Sequence, residues 1–504
     1  MARIIKKQST TFDEWLLEPR ETTQDHTHEK IVLRTPLASF NRGEESRFYL
    51  NTPFLSAAMQ SVTGPKLAIA LAREGGLGVI YCSQSIKAEE DMVCEVKNHK
   101  AGFVPSDSNL APHSLLEDAI NLSDKTGHST IAITHDGTPK GTLLGILTDN
   151  DYWIEFDDPK KPVNSFMTSL DNLIFGKEGA SLSEANRLLW EKKISCLPII
   201  SADGRLVSLV FKKDYKQAKQ FPISLVDEQK RYRVGAALNT HDFMERAPAL
   251  LDAGADVLVF DSSDGFSSYQ KNAIEWIKKT YPESIVCAGN VVNREGFQFL
   301  VDAGADVIKI WICGGSICTT RPMKALGRGQ ADAVMDIAKG RDKHFAKDGR
   351  YIPLISDGGI VQDSHIILAL AMGADAVMMG RYFAQTDESP TPVVPIKGQF
   401  VKPYWGEGSA RARNWQRYQD SASVDWKFEE GIDGYVPLAG SLGNKVRLTS
   451  IVLKDLMGHC GVSNIEEFHE RATLRRVSPA TLKESAPHDV LRFEYTLRDR
   501  DTWG

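Results

Sequence analysis

The sequence predicts an α/β fold, a (β/α)8 barrel of parallel strands carrying an inserted β-rich pair. Three observations carry this. A strand entry recurs as AGADVLVFD at 253–261, AGADVIKIW at 303–311 and MGADAVMMG at 372–380, each after an amphipathic stretch. Polar or glycine-rich segments follow the strands: DSSDG, CAGN, CGGSICTT, SDGG and MGRYF. Two similar β-rich stretches of roughly 60 residues lie within 102–220 and interrupt that pattern.

The repeated unit explains itself element by element. RAPALLDAG, EGFQFLVDAG and SHIILALAMG read as helices, and the glycine ending each can adopt the left-handed conformation that closes a helix. The apolar run that follows is short and unbroken, as a parallel strand buried on both faces requires. YRVGAAL, SIVCAGN and YIPLISDGG supply further buried strands between the repeats. Alternation of strand and helix implies a parallel sheet, and an eight-fold barrel is its natural closure. The segments after the strands then form the catalytic face. No GxGxxG opens a helix and no GxxxxGK[ST] occurs, so the common nucleotide fingerprints are absent.

The insert has its own texture. HSTIAITHDGTPKGTLLGILTDNDY and ISCLPIISADGRLVSLVFKKDY each give a strand, an Asp-Gly turn, a second strand and a charged helix start. SLSEANRLLWEKK before the second copy reads as an amphipathic helix. The expected organisation is barrel over 1–101, insert over 102–220 and the rest of the barrel over 221–504. About 400–432 is aromatic, charged and aperiodic, and reads as a long functional loop.

Composition narrows the function. With 504 residues the chain is too long for one ordinary domain of about 150 and fits a barrel plus a smaller unit. Sixty basic against 66 acidic residues give a net charge of −6, which argues against a general nucleic-acid binder. No run of 18 apolar residues and no apolar leader after MARIIKKQSTTFDEW occur, so neither a membrane span nor a signal peptide is expected. Seven cysteines without a CxxC pair fit a reducing compartment, and a cytoplasmic location is expected.

SAAMQSVT at 56–63, EGGLGVI at 74–80, DSSDG, CGGSICTTR, SDGG and EGSARARNWQRY occur in this order, and together they resemble inosine-5′-monophosphate (IMP) dehydrogenase. The likeness spans nearly the whole chain, and the insert resembles a CBS pair. It is to the protozoan and bacterial type whose mobile flap carries Arg-Ala-Arg-Asn-Trp-Gln-Arg-Tyr. The resemblance implies oxidation of IMP by NAD to xanthosine monophosphate, in a cytoplasmic homotetramer.

Cys318, read without the family, is a small buried hydrophobe more often than a nucleophile. The resemblance makes its thiolate attack carbon 2 of the purine, giving a thioimidate that water hydrolyses. Arg417 and Tyr418 match the family's catalytic pair for that hydrolysis, and Thr320 and Glu430 its alternative relay. Deprotonating an arginine at pH 7 costs about 8 kcal/mol, so a carboxylate base is cheaper to prepare. The resemblance also implies that Ser316, Gly358, Gly359, Gly380, Arg381 and Tyr404 hold the phosphate side. Asp357 takes the ribose hydroxyls, while Gly408 and Glu430 contact the base. Asp261, Ser262 and Ser263 match nicotinamide-riboside contacts, with Asn290 and Arg321 nearby. Potassium is implied on carbonyls of Cys313, Gly315 and Cys318, joined by Glu484, Ser485 and Ala486 from a neighbouring subunit. In the insert, Thr148 and Asp151 have the pattern of a CBS site for an adenine or guanine nucleotide, and Phe211 replaces the hydroxyl in the second copy.

The chain departs from the family at Trp311 and Cys313, where glycine is usual, and at Ser485 and Ala486. If Trp311 had positive φ, it would cost of order 1 kcal/mol and the loop would have to shift. Two other readings therefore stand beside the dehydrogenase. One is a GMP reductase, against which the intact Arg417-Tyr418 loop argues. The other is a silenced nucleotide-binding regulatory relative.

Overall fold

The computed structural model describes residues 4–485 except positions 7, 100–102, 105, 107, 127–128, 213–220, 229–230, 313 and 414–430. Eight parallel strands close into a barrel. They are β1 (Phe54–Ser56), β2 (Leu77–Ile80), β3 (Gly235–Leu238), β4 (Val257–Phe260), β5 (Val286–Val291), β6 (Val307–Ile310), β7 (Leu354–Asp357) and β8 (Ala376–Met379). β8 pairs with β1 and β2 with β3, so the ring closes across the insert. The three repeats become β4, β6 and β8, and YRVGAAL, SIVCAGN and YIPLISDGG become β3, β5 and β7. Each repeat glycine, Gly254, Gly304 and Gly373, has φ near +100° (+97°, +103° and +107°), the left-handed helix ending that the sequence implied.

The aspartate of each repeat has a structural reason. Asp256 accepts the backbone N–H of Val234, Asp306 that of Val286 and Asp375 that of Leu354. Each staples the start of its own strand to the strand before it. Each is buried or nearly so and meets a cation: Lys97 for Asp256, Lys278 and Arg350 for Asp306, and Arg341 for Asp375. The repeat therefore encodes the floor of the barrel, opposite the catalytic face.

The apolar residues divide as a barrel demands. Leu55, Leu77, Val79, Val257, Val259, Val307, Ile355 and Met378 fill the interior. Residues of opposite parity, including Ile80, Leu258, Phe260, Ile308, Ile310 and Val377, pack outward against the helices.

Strands between 103 and 211 build two four-stranded sheets outside the barrel. Thr130–Thr134 and Leu143–Thr148 form the hairpin of the first copy, and Cys196–Ile200 and Leu206–Phe211 that of the second. Phe103–Val104, ahead of both copies, pairs with the second copy. Ala132, Leu143 and Ile146 share one apolar cluster with Ile200, Leu206 and Leu209, so the two copies pack through a common core. Ser181 caps helix Leu182–Glu191 with a reciprocal Glu184 contact, as SLSEANRLLWEKK implied. At the barrel mouth, Val394–Ile396, Gln399–Trp405 and Asp433–Pro437 form a three-stranded antiparallel sheet.

Candidate active site

A cavity of about 230 Å³ opens at the C-terminal ends of the barrel strands. The loop after β6 carries Gly315, Ser316, Cys318 and Thr320 to its wall, and β7 ends on Asp357, with Gly358 and Gly359 following it. β8 delivers Gly380 and Arg381, β4 delivers Asp261, Ser262 and Ser263, and β5 contributes Asn290. Tyr404 of the outer sheet and Gly408 just beyond it also line the cavity. The structure thus gathers, from six separate segments, twelve of the residues the resemblance assigned to substrate and nicotinamide: Ser316, Asp357, Gly358, Gly359, Gly380, Arg381, Tyr404 and Gly408 with Asp261, Ser262, Ser263 and Asn290.

The cysteine loop is held from two directions. The Cys318 N–H donates to the Gly315 carbonyl (3.2 Å), making a tight turn. Cys318 also forms an antiparallel bridge with Gly431, and the Ile432 N–H donates to the Ile317 carbonyl (3.0 Å). Gly431 and Ile432 therefore clamp the nucleophile candidate. Cys318 Sγ lies 3.3 Å from Thr320 Oγ1, so the hydroxyl can donate to a thiolate. Trp405 is tied to the same mouth, its Nε1–H donating to Gln60 Oε1 (3.1 Å).

Asp357 is the electrostatic centre. Its Oδ2 accepts from Lys309 Nζ (3.0 Å) and Asn290 Nδ2 (3.2 Å). Burial alone would lower the Lys309 ammonium. The carboxylates of Asp357 and Asp261 outweigh it and hold its pKa above the ordinary lysine value, so the charge is kept. Asn290 Oδ1 is buried and has no partner among the described residues, leaving an acceptor in the cavity. Burial, reinforced by the Asp357 charge, also pushes the Tyr404 phenol up, so it is a neutral O–H donor. Its hydroxyl sits 2.8 Å from where a side chain at Gly380 would begin, which leaves room only for glycine there.

Lys309 went unread in the sequence, although a lysine inside the apolar strand VIKI is a signal, since lysine is rarely buried without a partner. Gln330 was also missed. Its Nε2 donates to the carbonyls of Ile310 (2.7 Å) and Asp357 (3.3 Å) and to Ser356 Oγ (3.1 Å), tying the ends of β6 and β7 together. Nothing local in the sequence marks it, because its partners are distant along the chain.

Several expected residues stand elsewhere. Arg321 does not line the cavity, and its guanidinium reaches the carbonyls of Ile312 and Arg328. Glu484 lies in the last turn of helix Pro479–Ser485, which Ser485 ends, and does not line the cavity of its own chain. Thr148 Oγ1 and its N–H both donate to Asp151 Oδ2 (2.8 and 2.7 Å), a preformed turn at the end of the first hairpin. Arg417, Tyr418, Glu430, Cys313 and Ala486 lie outside the described residues.

Trp311 has no positive φ; among the described residues other than glycine, only Lys193, Ala325 and Lys397 do. The backbone strain considered above does not arise. The indole instead lies against Gly314, Gly315 and Gly358, occupying the space that side chains there would take.

Comparison with known proteins agrees with this geometry. Residues 9–488 match the family model described as IMP dehydrogenase / GMP reductase domain. An inosine-5′-monophosphate dehydrogenase of Tritrichomonas foetus is 50% identical over 97% of this chain and 98% of its own. One from Aquifex aeolicus is 37% identical over 96% of both. Among solved structures, GMP reductase C318A from Trypanosoma brucei in complex with guanosine 5′-monophosphate superposes with a TM-score of 0.86 at 29% identity, covering 96% of this chain and 98% of that one. On the barrel, the cavity and these matches, the chain belongs to the IMP dehydrogenase / GMP reductase family.

Proposed function

We propose that the chain oxidises IMP to xanthosine 5′-monophosphate with NAD, through a covalent intermediate on Cys318 that water then hydrolyses. The observation that carries this is Cys318 itself. It sits on a clamped loop, 3.3 Å from the Thr320 hydroxyl, in the cavity that Asp357 also lines. The Thr320 hydroxyl stabilises the attacking sulfur by donating to it and is placed to pass a proton in the hydrolytic step. NAD, when bound, takes the hydride released from carbon 2. Asp261, Ser262, Ser263 and the unpartnered Asn290 Oδ1 suit its nicotinamide and ribose, which need both acceptors and donors. Lys309 fixes one oxygen of Asp357 and leaves the other for the ribose hydroxyls of IMP.

Arg417 and Tyr418 are assigned the hydrolytic step, with Glu430 and Thr320 as the alternative relay. Potassium is assigned to carbonyls of the cysteine loop, including Gly315 and Cys318, and a homotetramer would bring Glu484 of one copy to the loop of the next. The insert is assigned as a CBS pair with one nucleotide site around Thr148 and Asp151. Among the described residues no helix is long and apolar enough to cross a membrane, consistent with a cytoplasmic enzyme.

A second reading is favoured by the superposition on a GMP reductase. Absorbance separates the two. Mixing the protein with IMP and NAD, with and without potassium, should form NADH continuously, and Cys318→Ala should form none. NADPH consumption with GMP, and no NADH from IMP, would establish the reductase instead. Nucleotide binding without either reaction would identify a silenced relative.

A further inference from the structure

We infer that Trp311 is a nucleotide-binding residue whose indole N–H donates a hydrogen bond to the phosphate of the bound nucleoside monophosphate. This rests on the function proposed above and adds to it a contact specific to this chain.

Trp311 follows β6 directly and lines the cavity. Its ring lies in the seam between two loops. A side chain at Gly358 would begin 2.7 Å from Nε1, one at Gly314 3.2 Å from the same atom, and one at Gly315 3.3 Å from Cζ2. The residues next along those loops are Ser316 and Gly359, both on the cavity wall. The N–H therefore sits at the junction of the two segments assigned to the phosphate. It is also buried, with no acceptor among the described residues. A buried donor left unpaired is unfavourable, and proteins rarely keep one without a ligand, water or ion to satisfy it. Gly314 and Gly358 lie close over the indole nitrogen without side chains, so a dianion seated between Ser316 and Gly359 brings an acceptor to it once the glycine backbone at 358 shifts aside. Hydrogen bonds to a charged acceptor are the stronger kind.

The test uses steady-state kinetics of the full chain. Trp311→Phe keeps a ring and loses the N–H. It should raise the KM for IMP about tenfold while kcat and the KM for NAD stay within about twofold, and Trp311→His, which retains a ring N–H, should recover part of the loss. Trp311→Gly should lose at least as much as Trp311→Phe. An unchanged KM for IMP in Trp311→Phe would overturn the inference. So would a KM for IMP in Trp311→Gly below that of the wild type, because the ring would then be an obstruction. Should Trp311→Phe fail to fold, the Gly and His variants decide it alone. Wild-type protein that forms no NADH from IMP would sink the functional reading, and this inference with it. Normal wild-type turnover with an indifferent Trp311 would sink only the latter.

Discussion

Removing the Lys309 ammonium tests the electrostatics at the centre of the cavity. The side chain of Lys309 is 5% exposed and that of Asp357 14%, with Nζ 3.0 Å from Oδ2. Replacing Lys309 with methionine keeps the length of the stem and deletes the charge, leaving Asp357 with Asn290 as its remaining partner there. Breaking a buried pair from one side costs about 3–5 kcal/mol, because the other charge stays buried without compensation. For a unit of several hundred residues, at about 1 °C per kcal/mol, the melting temperature should fall by about 3–5 °C. Removing both charges, as in Lys309→Met with Asp357→Asn, should recover about 2 kcal/mol or more of that loss, since no charge then remains buried. The assay is a double-mutant cycle by thermal and urea unfolding, with the KM for IMP read on Lys309→Met alone. A single-variant cost under about 1 kcal/mol, or a double variant that loses the sum of the two singles, would show that the pair is not coupled as the geometry requires.

Three further predictions follow from the same structure. Asp375→Asn, which weakens the contacts to Arg341 (3.2 Å) and the Leu354 N–H (2.7 Å), should cost about 3 kcal/mol in urea unfolding without changing the KM for either substrate, because Asp375 lies at the barrel floor. Gly358→Ala introduces a Cβ 2.7 Å from Trp311 Nε1 at φ +71°; it should raise the KM for IMP and lower stability by about 1–2 kcal/mol or more, and adding Trp311→Gly should restore the steric part but not the backbone part. His469 is held below its ordinary pKa, first by burial, and its Nε2–H donates to the Ala374 carbonyl (2.9 Å). Below pH 6.5 the unfolded chain takes up a proton that the folded one refuses, so stability falls as pH drops, by at most about 1.4 kcal/mol per unit from this group. His469→Gln, which keeps a donor, should flatten unfolding free energy measured between pH 6.5 and 5, and an unchanged slope would remove His469 as the cause.

The barrel was legible because its signals are local. A helix that must stop leaves a glycine at 254, 304 and 373, and a strand buried on both faces leaves an unbroken apolar run beside it. The reason for the aspartate in those repeats was not legible. Its partners, Val234, Val286 and Leu354, lie some twenty positions earlier, and only strand pairing brings them near. The first two barrel strands entered the reading through the family motifs SAAMQSVT and EGGLGVI rather than through periodicity. Phe54–Ser56 and Leu77–Ile80 are short, and little in so few residues separates strand from helix.

The cavity shows the same division between what a chain states locally and what it states only when folded. Residues whose chemistry is exposed at a strand end, such as Cys318, Asp357 and Arg381, could be placed from motif and order, and the structure brings them to one wall. Residues that act by tying those ends together could not, and Gln330 is the clearest, because its three partners lie on β6 and β7. Trp311 reverses the usual inference from departure to damage. Read along the chain, a large ring in place of glycine threatens the loop. In three dimensions the loss of one small residue is matched by three others, Gly314, Gly315 and Gly358, which leave a slot for the ring on an ordinary backbone. Accommodation of that kind depends on space shared between two loops, and it predicts that the steric cost of a side chain at Gly358 is relieved only when Trp311 is made smaller.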